Sequence, residues 1–80
     1  MQELYKLLIR AHFQNLPIGW GDTWSRDFAG TKYEVSIRHP DWRSKKPTVD
    51  IEREIGRDLE SWNDLTLKDA RAKLRQLLDA

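Results

Sequence analysis

Apolar and polar positions alternate most clearly between Lys32 and Arg38, where Tyr33, Val35 and Ile37 occupy every second position. A period of two, with aromatic and β-branched side chains on one face, is typical of a half-buried β-strand. The pattern predicts the central strand of a small sheet, around which the rest of the chain is organised.

The residues before this strand predict a helix and a second strand. In residues 2–14, apolar side chains recur at i, i+3, i+4 and i+7 from Leu4, which predicts an amphipathic helix that ends before Pro17. From Trp24 onwards, apolar or long side chains alternate with small polar ones, which predicts a strand that reaches a tight turn at Gly30.

Residues 48–62 fit two patterns. The first half alternates apolar and polar positions as a strand does, whereas the apolar side chains from Ile51 to Trp62 also recur at helical intervals. Gly56 disfavours an uninterrupted helix. We therefore predict a strand over 48–54 and an irregular or short helical segment after it.

The end of the chain, residues 65–80, has a strong helix signal. Thr66 and Asp69 form a Thr-x-x-Asp capping box, and leucine and alanine side chains then share one face. The predicted fold is therefore a small single α+β domain over residues 1–80, with an N-terminal helix, a three-stranded antiparallel sheet and a C-terminal helix.

Composition and motifs argue against a catalytic site. At 80 residues, most apolar side chains are needed for one core. The chain has no cysteine, which excludes disulfides, thiolate nucleophiles and Cys-ligated metals. His12 and His39 have no partners at metal-ligand spacing, and no phosphate-binding glycine loop or nucleophile elbow occurs. We expect no enzymatic activity, no cofactor and no metal.

No apolar run approaches the roughly 18 residues of a membrane span, and the first residues lack the order of a signal peptide. The sequence therefore predicts a cytoplasmic protein that makes no contact with a membrane.

Charge is polarised along the chain although the net charge is only +1. Residues 38–46 hold four cations against one acid, whereas residues 50–64 hold six acids against two cations. One part of the surface should be positive and another negative.

The long basic segment after the central strand contains an aromatic side chain, Trp42, and Trp20 lies between two glycines. Aromatic side chains among cations can stack on bases and neutralise phosphates, and they are also frequent anchors of protein interfaces. In a third interpretation, Trp42 covers the sheet edge and the lysines are merely solvated. The candidate partner-binding residues, including two cations of the last helix, are Trp20, Arg38, Trp42, Arg43, Lys45, Lys46, Lys68 and Arg71.

Two resemblances point towards nucleic acid. The predicted order of helix, three strands and helix is similar to that of double-stranded-RNA-binding domains, which implies RNA contacts near the start of the last helix, where Lys68 and Arg71 lie. Phage-type integrases bind DNA with a small domain made of a sheet and a helix. The end of that domain resembles the segment Leu65-Thr66-Leu67 followed by Ala70-Arg71.

These observations favour a non-enzymatic, stoichiometric protein-binding module, an inhibitor or adaptor of the kind that phages and mobile elements encode. A partner that handles nucleic acid would fit the mixed charges. The alternative is direct binding of DNA or RNA through the basic 38–46 loop. A homodimer formed through an unprotected sheet edge stays open as well.

Overall fold

The computed structural model describes residues 2–16, 22–39 and 46–78, and in these residues the chain forms two helices and five strands. In chain order the elements are α1 (Gln2–Arg10), β1 (Gln14–Leu16), β2 (Asp22–Phe28), β3 (Thr31–Arg38), β4 (Thr48–Ile55), β5 (Asp58–Leu65) and α2 (Leu67–Leu78).

The strands form one antiparallel sheet in sequential order, with β3 in the middle. The predicted central strand is confirmed, and Val35 faces Trp24 on β2 and Ile51 on β4. Ala29 and Gly30 connect β2 to β3 with φ angles of 54° and 80°. Two consecutive positive φ angles are typical of the type I′ turns that match the twist of a hairpin.

The prediction of a three-stranded sheet was wrong, because residues 58–65 form a further strand, β5, instead of an irregular or short helical segment. Gly56 adopts a φ of 60° and turns the chain between β4 and β5. The hairpin brings Trp62 opposite Ile51. The apolar spacing that suggested a helix therefore comes from two neighbouring strands.

The predicted first helix, residues 2–14, ends early, and the other additional strand, β1, begins at Gln14. The helix α1 ends at Arg10, and His12 follows with a φ of 65°. The Phe13 amide donates to the Leu8 carbonyl at 2.9 Å, and the His12 amide donates to the Ile9 carbonyl at 3.1 Å. These two hydrogen bonds define a Schellman motif that stops the helix and directs the chain into β1.

Both helices pack on the same face of the sheet. The C-terminal helix α2 begins as predicted, since the Asp69 amide donates to the Thr66 hydroxyl oxygen at 3.1 Å. Between the helices and the sheet lies a thin core, and no described element covers the opposite face of the sheet, which we call the open face. The buried apolar side chains are Leu4, Leu8, Phe13, Val35, Ile37, Val49, Ile51, Ala70, Leu74 and Leu77.

Candidate partner-binding surface

Half of the predicted binding residues, namely Trp20, Trp42, Arg43 and Lys45, lie outside the described residues. The other half is exposed or partly exposed but does not form one surface. Arg38 ends β3 on the open face, because it faces Thr48 in the same register that places Ile37 and Val49 in the core. The four predicted binding residues that are described are all cations, namely Arg38, Lys46, Lys68 and Arg71.

The last two of these cations belong to the helix layer on the other side of the sheet. Lys68 is exposed in the first turn of α2. Arg71 donates to the Glu3 carboxylate of α1 at 2.8 Å and thereby connects the two helices. Arg38 and the helix cations therefore lie on opposite faces, and a single phosphate backbone would not contact them together.

Arg38 is also engaged with acids. Its guanidinium donates to Asp50 at 3.0 Å and to Asp64 at 2.5 Å. Asp50 further accepts a hydrogen bond from the Asp64 amide at 2.9 Å, at a residue whose φ is 57°. Arg38 thus joins the end of β3 to the end of β5, and its charge is compensated within the chain.

The open face around Arg38 is acidic. On β2, β3 and β4 the register directs five acids and two cations to this face, a net charge of −3. Glu34 lies directly opposite Glu52, and like charges directly opposite each other on neighbouring strands destabilise a sheet. Such a face repels phosphate. Its charged residues are Asp27, Lys32, Glu34, Arg38, Asp50, Glu52 and Glu54.

The outer edge of the sheet at β5 is long. No described element pairs with this edge, and β5 has eight residues, a span of about 27 Å. Leu59 is 66% exposed on the open-face side of the strand, next to Glu54. On the helix side, Trp62 packs beneath Lys73, whose ammonium lies 4.9 Å from the ring centroid.

On the helix side of this edge, an ion pair joins β4 and β5. Arg53 donates to Glu60 across the β4–β5 pair at 2.7 Å. This hydrogen bond to Glu60 raises the pKa of Arg53, and a contact with Tyr33 acts in the same direction. The guanidinium carbon also lies 5.7 Å from the centre of the Trp62 ring. The side chains on this face of β5 are therefore well ordered by their neighbours.

A second polar cluster centres on Asp22, at the start of β2. Its carboxylate accepts hydrogen bonds from Tyr5 at 2.5 Å, Asn15 at 2.7 Å and Trp24 at 3.0 Å, and His39 lies 3.4 Å away. Burial raises the pKa of Asp22, but the hydrogen bonds outweigh it, so the pKa lies below its usual value. Burial, and then the bond to Asp22, raise the pKa of Tyr5 to about 12.

The Asp22 cluster connects α1, β1, β2 and the residue after β3, and we interpret it as structural. A tyrosine with a raised pKa is a poorer nucleophile and a poorer base at neutral pH. A separate groove of about 440 Å³ is lined by His12, Gln14, Ser25, Arg26 and Asp27, none of which belongs to the Asp22 cluster.

Among residues 2–16, 22–39 and 46–78, no group of three or more His, Asp or Glu side chains is placed to hold a metal ion. In the same part of the chain, no helix is long and apolar enough to cross a membrane.

Comparisons of the chain with protein-family models, with curated proteins and with solved structures gave no match. The resemblance to double-stranded-RNA-binding domains fails on the fold, because the described elements run as a helix, five strands and a helix. The segment that resembles phage-type integrases does contain a strand end, a helix cap and a helix.

The residues predicted from the sequence to bind a partner do not include Leu59, Glu60 and Trp62 of the β5 edge. The available signal was the turn at Gly56, which follows one strand pattern and precedes a second segment of strand length. The Asp22 cluster had no signal in the sequence, since its members come from four separate segments.

Proposed function

We propose that this chain is a non-enzymatic protein-binding module that binds one partner by accepting a β-strand along β5. The observation that carries the proposal is an eight-residue edge strand that exposes Leu59 and that no other strand of the described residues pairs with on its outer side. An edge strand directs alternate N–H and C=O groups away from the sheet, where they can pair with another chain. Strand addition uses these groups for affinity and the neighbouring side chains for specificity.

The two edges of the sheet differ in a way that favours β5. The strand β1 has only three residues, so it offers a short edge. Natural edge strands are often protected by lysine or proline, and β5 contains neither. The β-bulge in the β4–β5 pair lies between Val49 and Ile51. Residues 58–62 are therefore the regular part of the edge and the best place for a partner strand.

An inhibitor or an adaptor acts by occupying the surface of its partner in a fixed ratio, and strand addition at one edge gives such a ratio. A partner that handles nucleic acid is supported only by the mixed charges of the sequence.

Direct binding of DNA or RNA through the basic 38–46 loop is the second candidate. Arg38 already pairs with Asp50 and Asp64, and the open face beside it is acidic. Affinity for phosphates depends on the number of cations on one surface. Titration of labelled DNA and RNA at low and physiological salt, with the Lys45→Glu, Lys46→Glu variant as control, tests this candidate. Binding that weakens steeply with salt and in the variant would place it first.

The strand-addition proposal is tested by comparing two charge insertions at equally exposed apolar positions. Leu59→Lys places a cation on the β5 edge, whereas Ile9→Lys places one on α1, where Ile9 is 62% exposed. Affinity capture should recover a stoichiometric partner with the wild type and with Ile9→Lys but not with Leu59→Lys. In the complex, amide hydrogen exchange of residues 58–65 should slow.

Equal recovery by the two variants, together with unchanged exchange along β5, would refute strand addition at this edge. Slowed exchange confined to α1 or to the β1 side would move the binding surface there.

A further inference from the structure

We infer that the strand accepted by β5 is a basic, amphipathic segment of another protein and is not a second copy of β5. This inference rests on the proposed function and adds the chemistry of the partner. It follows from the charges on the edge strand and on the strand beneath it.

A second copy is disfavoured by charge. The strand β5 carries Asp58, Glu60 and Asp64 and no cation. Antiparallel pairing of two copies would bring six carboxylates into one two-stranded ribbon. Within one copy, Glu60 pairs with Arg53 and Asp64 pairs with Arg38. Asp58 would meet acids of the other copy without compensation, and like charges across a strand pair are destabilising.

The side chains next to a bound strand define what it should carry. On the open-face side, Leu59 and Ser61 border the edge, and Glu54 and Glu52 lie behind them on β4. Neighbouring strands are about 4.8 Å apart, so a bound strand would lie roughly 9.6 Å from β4. The small side chain of Ser61 leaves room above it. A lysine or arginine opposite Ser61 can therefore extend towards Glu52.

Glu52 is also the acid with the clearest need for a cation. It faces Ser61 on one side and Glu34 on the other. Glu34 and Glu52 repel each other, and a cation from the bound strand would relieve that repulsion. Leu59, two residues before Ser61, offers apolar contact on the same side. The expected partner strand therefore has an apolar residue and a cation two positions apart on one face.

Blocked eight-residue peptides provide the test. The first peptide alternates threonine on one face with valine and lysine on the other. Two matched peptides carry glutamine or glutamate in place of lysine, and a third keeps the lysine but has proline in place of a central threonine. Amide shifts and hydrogen exchange of β5 are followed by NMR during titration at physiological salt. The lysine peptide should slow exchange along β5 and bind about fivefold more tightly than the glutamine peptide.

Two variants of the protein separate specific from general electrostatics. Glu52→Gln should weaken binding of the lysine peptide by about fivefold. Asp27→Asn removes an acid of the same face at the far side of the sheet and should leave binding unchanged.

The other outcomes overturn the inference in distinguishable ways. Equal binding by the lysine, glutamine and glutamate peptides would preserve strand addition and refute the basic partner. Equal binding by the proline peptide would show charge attraction without strand pairing. A dimer with protected β5 amides in the absence of peptide would make a second copy the occupant. If no peptide slows exchange along β5, both this inference and the proposed function fail.

Discussion

Removal of the Asp22 carboxylate should destabilise the domain more than any other change at a partly exposed polar residue described above. Asp22→Ala deletes the acceptor for Tyr5, Asn15 and Trp24, which lie 2.5–3.0 Å from its oxygens. Hydrogen bonds to a charged group contribute about 1.5–3 kcal/mol each. The side chain is 20% exposed, so water can replace part of what is lost. We therefore expect a loss of about 3 kcal/mol in the free energy of unfolding.

Such a loss is a large share of the roughly 5–15 kcal/mol of a small domain and should lower the midpoint of thermal unfolding by roughly 12–24 °C. Asp22→Asn keeps one acceptor oxygen, and we expect about half the effect. Urea unfolding followed by circular dichroism measures these free energies of unfolding without relying on the fluorescence of Trp24. Asp27→Ala removes an exposed acid from the same strand and is the matched control.

The dependence on pH gives an independent check. Because the pKa of Asp22 is lowered in the folded state, its contribution is present above the ordinary carboxyl pKa and is lost as the pH falls through the folded value. The stability difference between the wild type and Asp22→Asn should therefore shrink in acid. A loss of stability below 1 kcal/mol in Asp22→Ala would refute this account of the cluster. So would a stability difference between the wild type and Asp22→Asn that stays constant down to pH 2.

Further predictions concern single residues of the fold. The pKa of Tyr5 is raised to about 12 in the folded state. Its contribution to stability is therefore complete below the ordinary tyrosine pKa and is lost as the pH rises through the folded value. Alkaline unfolding of the wild type and of Tyr5→Phe measures this contribution. His12→Gly should stabilise by about 1 kcal/mol in urea unfolding, since φ is 65°. Glu34→Gln should stabilise the domain by roughly 0.5 kcal/mol by removing the repulsion from Glu52. A gain over the wild type that is the same in high and low salt would contradict this explanation. Leu74→Ala should cost about 3 kcal/mol, measured as a lower urea midpoint, because the side chain is fully buried.

The elements that the sequence predicted well are those with one buried face. Strand β3 alternates because Val35 and Ile37 enter the core while their neighbours face solvent, and α2 has both a cap and an apolar face. Strand β5 lacks that pattern, because it is an edge strand in which only Trp62 and Leu65 are partly buried. Strand β1 was not predicted for a different reason. The left-handed position that ends α1 is occupied by His12 and not by glycine, the residue that usually indicates a helix end in a sequence.

The candidate surface was less predictable than the fold. The surface predicted from the sequence was centred on a basic segment. Arg38, at the start of that segment, pairs with acids that are 12 and 26 residues away along the chain. Charge runs along a sequence therefore do not translate into patches when strands place distant residues side by side. The β5 edge depends on which strands have neighbours, and neighbours follow from topology.

The sequential order of the strands has a consequence for how the domain folds. Each strand pairs with the next one along the chain, so the sheet can form through short loop closures with a small entropic cost. The contact between Glu3 and Arg71 spans 68 residues and closes the longest loop. We expect the hairpins to form in the folding nucleus and the meeting of the two helices to complete it, with φ-values near zero at the Glu3–Arg71 pair.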